Sequence, residues 1–288
     1  MLFLLHLLSK MRPKKDGGSR IGIVLNGSPL FTGGAGSGES EIRRHVLESD
    51  LVEAIIALPT DMFFNTGIAT YVWILSNRKP AHRAGKVQLI DASGQWEKMR
   101  PSQGSKRRRM NERHMEMVTK LFQRAEDASL ATIMDSEGAV TTEVVMHGEA
   151  APAAPINGSM KLSPISRIFQ NIDFGYRTVT VERPLIGDGD RVVLVTKGKL
   201  KGQPVADPSR RDSEDVPMVE DIQSYLEREV LPYAPDAWID HSKTKVGYDI
   251  PFSKHFFVFE LPRSLAEIDA DLHSSTDRII EMIKGLVA

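Results

Sequence analysis

The chain has 288 residues, 41% hydrophobic and 26% charged, an ordinary globular composition with room for one large domain or two smaller ones. A formal net charge of −1 excludes a global electrostatic pull toward nucleic acid, so any such attraction must come from local clusters. The absence of cysteine excludes disulfides, thiolate metal sites and a cysteine nucleophile, and fits a reducing cytoplasm.

In chain order, LFLLHLLSK comes first. Its apolar run is too short to span a bilayer, and its charges Lys10, Arg12, Lys14 and Lys15 follow the run instead of preceding it. A buried helix and no membrane partner are expected. RIGIVLN (20–26) is a continuous apolar run that predicts a strand buried on both faces. SEIRRHVLES (40–49) has helical spacing at Ile42, Val46 and Leu47, with Ser40 a candidate cap. Segments 51–59, 69–77 and 86–93 read as further strands. The strand–helix–strand spacing of 20–59 predicts a parallel unit with a right-handed crossover. The short link TDMFFNTGI predicts that 51–59 and 69–77 run antiparallel. From Gln95 to Asp127 the chain turns basic and then helical, and 128–160, with its GEAAPAAP, reads as a linker or insertion. Beyond Lys161, VERPL, DGDRVVLVTKGK and VGYDIPFSKHFFVFELP read as short strands and loops, and 219–232 as a helix.

Four features invite a chemical reading. Gly33, Gly34, Gly36 and Gly38 crowd the stretch after the first strand, but Glu39 stands where a phosphate loop needs lysine, and the dinucleotide fingerprint lacks its third glycine. A mobile connection is the better reading. DFG at 173–175 has no kinase companions, and the histidines show no paired ligand spacing, so no metal is expected. Lys106, Arg107, Arg108 and Arg109 form a basic run that is either a phosphate contact or a solvated face. Phe63 and Phe64, with Asn65 and Thr66 beside them, either stack on a base or cap the core. At the chain end, Ser264 and Glu267 form a capping box. Behind it Leu265, Ile268, Leu272, Ser275, Ile279, Met282 and Leu286 follow a coiled-coil seam, which seeks a partner helix or folds back on its own domain.

The stretch SRIGIVLNGSPLFTGGAGSGESEIRRHVLESDLVEAIIALPTDMFFNTGIATYVWILSNRKP closely resembles the modification (methylase) subunit of type I restriction–modification systems, an adenine-N6 DNA methyltransferase. FGYRTVTVERPL, DVPMVEDIQSYLEREVLPYAPDAWIDHSKTKVGYDIPFSKHFF and PRSLAEIDADL resemble the C-terminal region of the same family. The resemblance implies an α/β fold: a partial doubly wound, Rossmann-like class I methyltransferase sheet, then a mixed C-terminal region ending in an amphipathic helix. It divides the chain into the second half of a methyltransferase domain (1–95), a basic and helical connector (96–127), the linker (128–160) and a subunit-docking region (161–288) with terminal helix 264–287. Segment 20–26 becomes the fifth strand, with 51–59 and 69–77 the last two.

The family's Asn-Pro-Pro-Phe/Tyr motif is nowhere in this sequence, and nothing here corresponds to its glycine-rich S-adenosylmethionine loop. No catalytic residue is therefore assigned. The chain alone is expected neither to bind the cofactor nor to methylate DNA. The resemblance makes Phe63, with Phe64, Asn65 and Thr66, the loop that packs on a flipped adenine. It makes the terminal helix the dock for the specificity subunit, which recognises the DNA sequence. DNA, the restriction subunit and a separate N-terminal half are the other expected partners. Two rival readings are a non-catalytic interaction subunit that binds the specificity subunit and DNA, and a nucleotide-binding protein using the glycine loop.

Overall fold

The computed structural model describes every residue except Lys199, Glu260, Leu261, Arg263 and Ala288, together with the side chains of 285–287. The chain forms two compact units, Met1–Phe256 and Phe257–Ala288. In the first, α1 (Leu2–Ser9) precedes β1 (Arg20–Asn26), α2 (Ser28–Phe31), α3 (Gly38–Glu48), β2 (Val52–Leu58), β3 (Thr70–Ser76) and β4 (Lys86–Asp91). A hairpin of β5 (Glu97–Gln103) and β6 (Lys106–Arg109) leads to α4 (Glu112–Arg124), β7 (Ala128–Met134), β8 (Val140–Met146) and β9 (Ser159–Gln170). After them come β10 (Gly175–Glu182), β11 (Asp212–Pro217), α5 (Ile222–Tyr225), β12 (Trp238–Tyr248) and α6 (Phe252–Phe256). The second unit contains α7 (Leu265–Val287).

Seven strands form one mixed sheet in the order β1-β3-β2-β4-β9-β7-β8. Both β1 and β2 pair antiparallel with β3. They therefore run in the same direction, as the strand–helix–strand spacing implies, but β3 lies between them. The parallel hydrogen-bonded partner of β2 is β4. Strand β2 is buried along nearly its whole length, and because side chains alternate, Ile55 and Ile56 enter different cores. On the Ile55 face, Leu4, Val46, Leu47, Trp73, Leu75 and Leu89 pack together with Phe174 and Tyr248. On the Ile56 face, Ile90, Leu121, Ala128 and Ile165 pack under α4. A sheet covered on both faces explains why β2 reads as an almost continuous apolar run, interrupted only by Glu53.

Several expectations need correction. β1 is not buried on both faces: it ends the sheet, and its residues alternate between exposed and half-buried. Of α1 only Leu4 is fully buried, while Leu2 and Phe3 face solvent. The supposed linker 128–160 contains β7, β8 and the start of β9, all inside the main sheet. Its small and acidic residues disguised a hairpin whose turn Asp135 closes by accepting from the Glu137 and Ala139 N–H groups, with Gly138 at φ +82°. The divisions at 95, 127 and 160 therefore cut a continuous sheet. The helix expected over 219–232 is limited to α5 and a π-turn through Val230. Among its described residues DGDRVVLVTKGK makes isolated bridges at Val192 and Leu194, and PFSKHF forms α6.

The glycine stretch is also not a free connection. Ser37, not Ser40, caps α3, its hydroxyl accepting from the Ser40 N–H. The Ser40 hydroxyl turns inward and accepts from the Tyr248 N–H at 2.9 Å. Arg43 is fully buried beside it. Its guanidinium donates to the carbonyls of Pro29 (3.1 Å), Thr32 (2.8 Å), Gly33 (3.0 Å) and Tyr248 (2.5 Å). A Cβ at Gly33 would lie 2.3 Å from the Ser37 hydroxyl oxygen, at φ +85°, so only glycine fits. One side chain thus ties the turn after β1 to β12 of a separate sheet, ordered β11-β10-β12. The Tyr248 hydroxyl donates to Glu48 at 3.2 Å, and burial, with that carboxylate nearby, pushes its pKa up to about 12.

Truncating Arg43 would strand four carbonyls beside a void. Arg43→Ala is expected to cost about 3–5 kcal/mol in urea unfolding, and Arg43→Lys to recover only part of it, since an ammonium cannot span the four acceptors. A second clamp is Asp50, which accepts from Lys79, Asn171 and the Gly85 N–H. Burial would raise its carboxyl, but these donors outweigh it and hold the pKa below the ordinary aspartate value. The stabilisation is complete above about pH 4 and is lost as pH falls through the depressed value. The melting-temperature gap between wild type and Asp50→Asn should therefore be open near neutrality and close in acid.

Candidate nucleic-acid interface

Strands β1, β2 and β4 end together at Asn26, Leu58 and Asp91, and in open α/β sheets ligands bind beyond such carboxyl ends. The loop leaving β2 turns tightly there: Asp61 takes φ +58°, and Phe63 bridges to Thr66. Thr66 accepts from the Ile68 N–H at 3.3 Å, which shapes the exit into β3. Phe63 is half-buried, whereas Phe64 is 58% exposed and Asn65 points to solvent.

The basic run folds against this loop as β6 of the hairpin, not as part of a helix. The Arg107 and Arg108 N–H groups donate to the Asp61 carbonyl at 2.9 and 3.1 Å, and the Ser105 N–H to the Phe64 carbonyl at 3.3 Å. Lys106 places its ammonium 4.9 Å from the centre of the Phe64 ring. Arg108 lies over Trp96 at 3.9 Å and donates to the Thr60 hydroxyl at 2.8 Å, so its charge holds the hairpin to the loop. Arg109 pairs with Glu97 at 2.5 Å. Hydrogen bonds from Asn111 and Arg109 hold the Glu97 carboxyl below its ordinary pKa. Asn111 also caps α4, which fixes the base of the hairpin to that helix. Of the four basic candidates, Arg107 is exposed, Lys106 is shared with Phe64, and Arg108 and Arg109 are occupied by neighbours.

The sequence therefore named two separate candidates that the structure joins in one surface. It did not single out Trp96, Thr60 or Arg43, because their partners lie far along the chain or are main-chain carbonyls. In the terminal unit, α7 begins with the capping box: Ser264 accepts from the Glu267 N–H, and Glu267 accepts from that of Ser264. Leu265, Leu272, Ile279 and Met282 are exposed and Ile268 slightly less so, while the Leu286 side chain lies outside the described residues.

Comparison with known proteins identifies this frame. The family model described as N-6 DNA Methylase matches residues 1–146, just over half of the chain. This chain belongs to that family.

Among its relatives are methylase subunits of type I restriction enzymes. It is 36% identical over 108 residues to the MjaVII methylase subunit of Methanocaldococcus jannaschii, a match covering 38% of this chain and 18% of that protein. With the HindI methylase subunit of Haemophilus influenzae it shares 44% identity over 54 residues, 19% of this chain and 12% of the relative. The crystal structure of the type I restriction–modification methyltransferase subunit from Streptococcus thermophilus is 32% identical, covering 43% of this chain and 23% of that one, with a TM-score of 0.35. At that score the overlay is too partial to bear on the fold. The matched stretches span less than a fifth of the length of these two curated relatives.

N-6 DNA methylases use S-adenosylmethionine. The glycine-rich turn of this chain does not fit that group: the Thr32 and Gly33 carbonyls are taken up by Arg43, and Ser37 fills the space beside Gly33.

If Lys106 and Arg107 face phosphates while Arg109 is held by Glu97, the variants should separate in a DNA-binding titration. Lys106→Ala with Arg107→Ala is expected to lower the slope of log K against log salt by about 2, and Arg109→Ala by less than half of that. Fluorescence anisotropy on a labelled duplex checks it.

Proposed function

We propose that this chain is the substrate-facing and docking portion of a type I restriction adenine-N6 DNA methyltransferase, working in the cytoplasm with a specificity subunit and DNA. The observation that carries the reading is the junction of the 61–66 loop with the basic hairpin, where the exposed Phe64 ring lies under the Lys106 ammonium and the exposed Arg107 follows next in the strand. An aromatic face beside cations suits an extruded base flanked by its phosphates. The reversal of β3 between two co-directional strands supports reading β1, β2 and β3 as the last three strands of a doubly wound, Rossmann-like methyltransferase sheet. The exposed apolar residues of α7 support a role for that helix as an amphipathic dock for the specificity subunit.

Phe63 and Phe64 would hold the adenine ring by stacking, with Asn65 and Thr66 at its rim. Adenine's exocyclic amine is a poor nucleophile, so the reaction depends on acceptors that orient it and on a placed methyl donor. The sequence contains no Asn-Pro-Pro to supply those acceptors, and the glycine turn does not fit the cofactor. Methyl transfer therefore needs residues from outside this sequence. The same facts favour a second reading, a non-catalytic interaction subunit that binds the specificity subunit and DNA.

Two measurements test the proposal. The purified chain should transfer no tritium from labelled S-adenosylmethionine to DNA, and transfer would overturn the inactivity. In an enzyme reconstituted with an intact partner half, Phe63→Ala should slow methylation more than it weakens DNA binding. Wild-type rates in that variant would favour the non-catalytic reading.

A further inference from the structure

Between β10 and β11 the chain leaves the three-stranded sheet as an arm, residues 184–206, that no part of the methylase reading uses. Its stem is clamped: Arg183 and Arg210 grip opposite oxygens of Asp236 at 2.7 and 3.2 Å, and Arg210 also donates to the Pro184 carbonyl at 3.2 Å. Above the stem three short segments close on one another. The Leu185 N–H donates to Val205, that of Val205 to Val193, and that of Val193 to Leu185, at 2.7, 2.8 and 2.9 Å. This ring of main-chain bonds gives the arm a defined backbone without a core. Ile186, Val192, Leu194 and Leu200 remain 39–58% exposed.

The two turns of the arm carry opposite charges. Asp188 and Asp190 sit in one, while the other carries Lys197 and Lys201, both exposed, with Gly198 and Gly202 at φ +85° and +87°. Lys197 and Lys201, in a chain of net charge −1, make this turn locally cationic.

Its position follows from strand register. Tyr248 is bonded to α3 at Ser40 and Arg43, and three residues earlier Lys245 lies 3.6 Å from the position of a Cβ on Gly36, in the turn before α3. The step from Tyr248 to Lys245 therefore follows α3 toward its N-terminus, the end at which β1 finishes. Thr178 of β10 is paired with Lys245, and β10 continues in that outward direction to Glu182. Four residues of strand carry the stem about 13 Å past the glycine turn. The arm thus leaves the sheet on the side of the carboxyl ends, where the aromatic loop and the basic hairpin lie.

We propose that the arm is a second DNA contact, in which Lys197 and Lys201 bind the phosphate backbone of duplex DNA and Leu200 packs against its sugars. The occupant is chosen by charge complementarity and by the side of the sheet on which the arm emerges. It rests on the reading of the chain as DNA-facing. Glycines flanking the lysines let the backbone approach a phosphate closely.

The test is binding of the full chain to a labelled non-specific duplex of about 30 base pairs, followed by anisotropy between about 50 and 200 mM salt. Lys197→Glu with Lys201→Glu should weaken binding at least about tenfold and lower the salt slope by about 2, with the melting temperature unchanged. Lys10→Glu with Lys14→Glu, an equal charge change on exposed residues elsewhere, should have a much smaller effect. Wild-type affinity and slope in the tip variant, an equal loss in the control, or no duplex binding by the wild-type chain would each overturn the proposal. No cofactor or methyl transfer enters this assay, so its failure is separate from that of the Phe63 test.

Discussion

The buried guanidinium of Arg43 holds together parts of the molecule that local sequence would leave independent. Four carbonyls converge on it, three from the turn after β1 and one from β12. A fully buried cation is costly unless its donors are satisfied, and neutral carbonyl dipoles satisfy them without a carboxylate partner in hydrogen-bonding contact. Burial accordingly lowers the Arg43 pKa, with Asp249 the first of the charges opposing that shift. Because the acceptors come from both sides, the glycine turn cannot move without β12, and the three-stranded sheet is seated against α3 by the same bonds that shape the turn.

That seat decides what lies at the carboxyl ends of the strands. The loop after β2 and the hairpin after β4 are joined by main-chain bonds to Asp61 and Phe64 and by the stacking of Arg108 on Trp96. The three-stranded sheet extends outward from the neighbouring turn. A frame of buried strands thus carries three exposed features on one side: an aromatic loop, a basic hairpin and a basic arm. Rigid strands with functional residues on the connecting loops are the usual division of labour in such sheets.

The strands most legible in the sequence were those with covered faces. VEAIIAL and KVQLID read as buried runs because side chains on both sides of the sheet meet apolar cores. Patterning misled where a strand met solvent or carried little bulk. RIGIVLN is apolar enough for a central position, yet it sits at the edge. ASLATIM and VTTEVVM looked like connecting sequence, because the GEAAPAAP that follows them coloured the whole region and their inward residues include small ones such as Ala128 and Ala131. The site was half legible. Phe63, Phe64 and the run 106–109 stood out as types and as a charge cluster, but their contact with each other depends on a fold-back over roughly forty residues.

By itself the sequence determined the family, the α/β class, the direction of β1 relative to β2, the cap of α7 and the aromatic and basic residues that form the candidate interface. These follow from local periodicity, turn chemistry and extended motif likeness, which need no knowledge of distant partners. Only the tertiary structure decided which basic residues are free, that 128–160 belongs to the sheet, that Arg43 immobilises the glycine turn, and on which side the 184–206 arm emerges. Each of these depends on main-chain carbonyls or on strand register. Carbonyls are the same in every residue, and register is a property of paired strands, so neither leaves a mark in the order of the side chains.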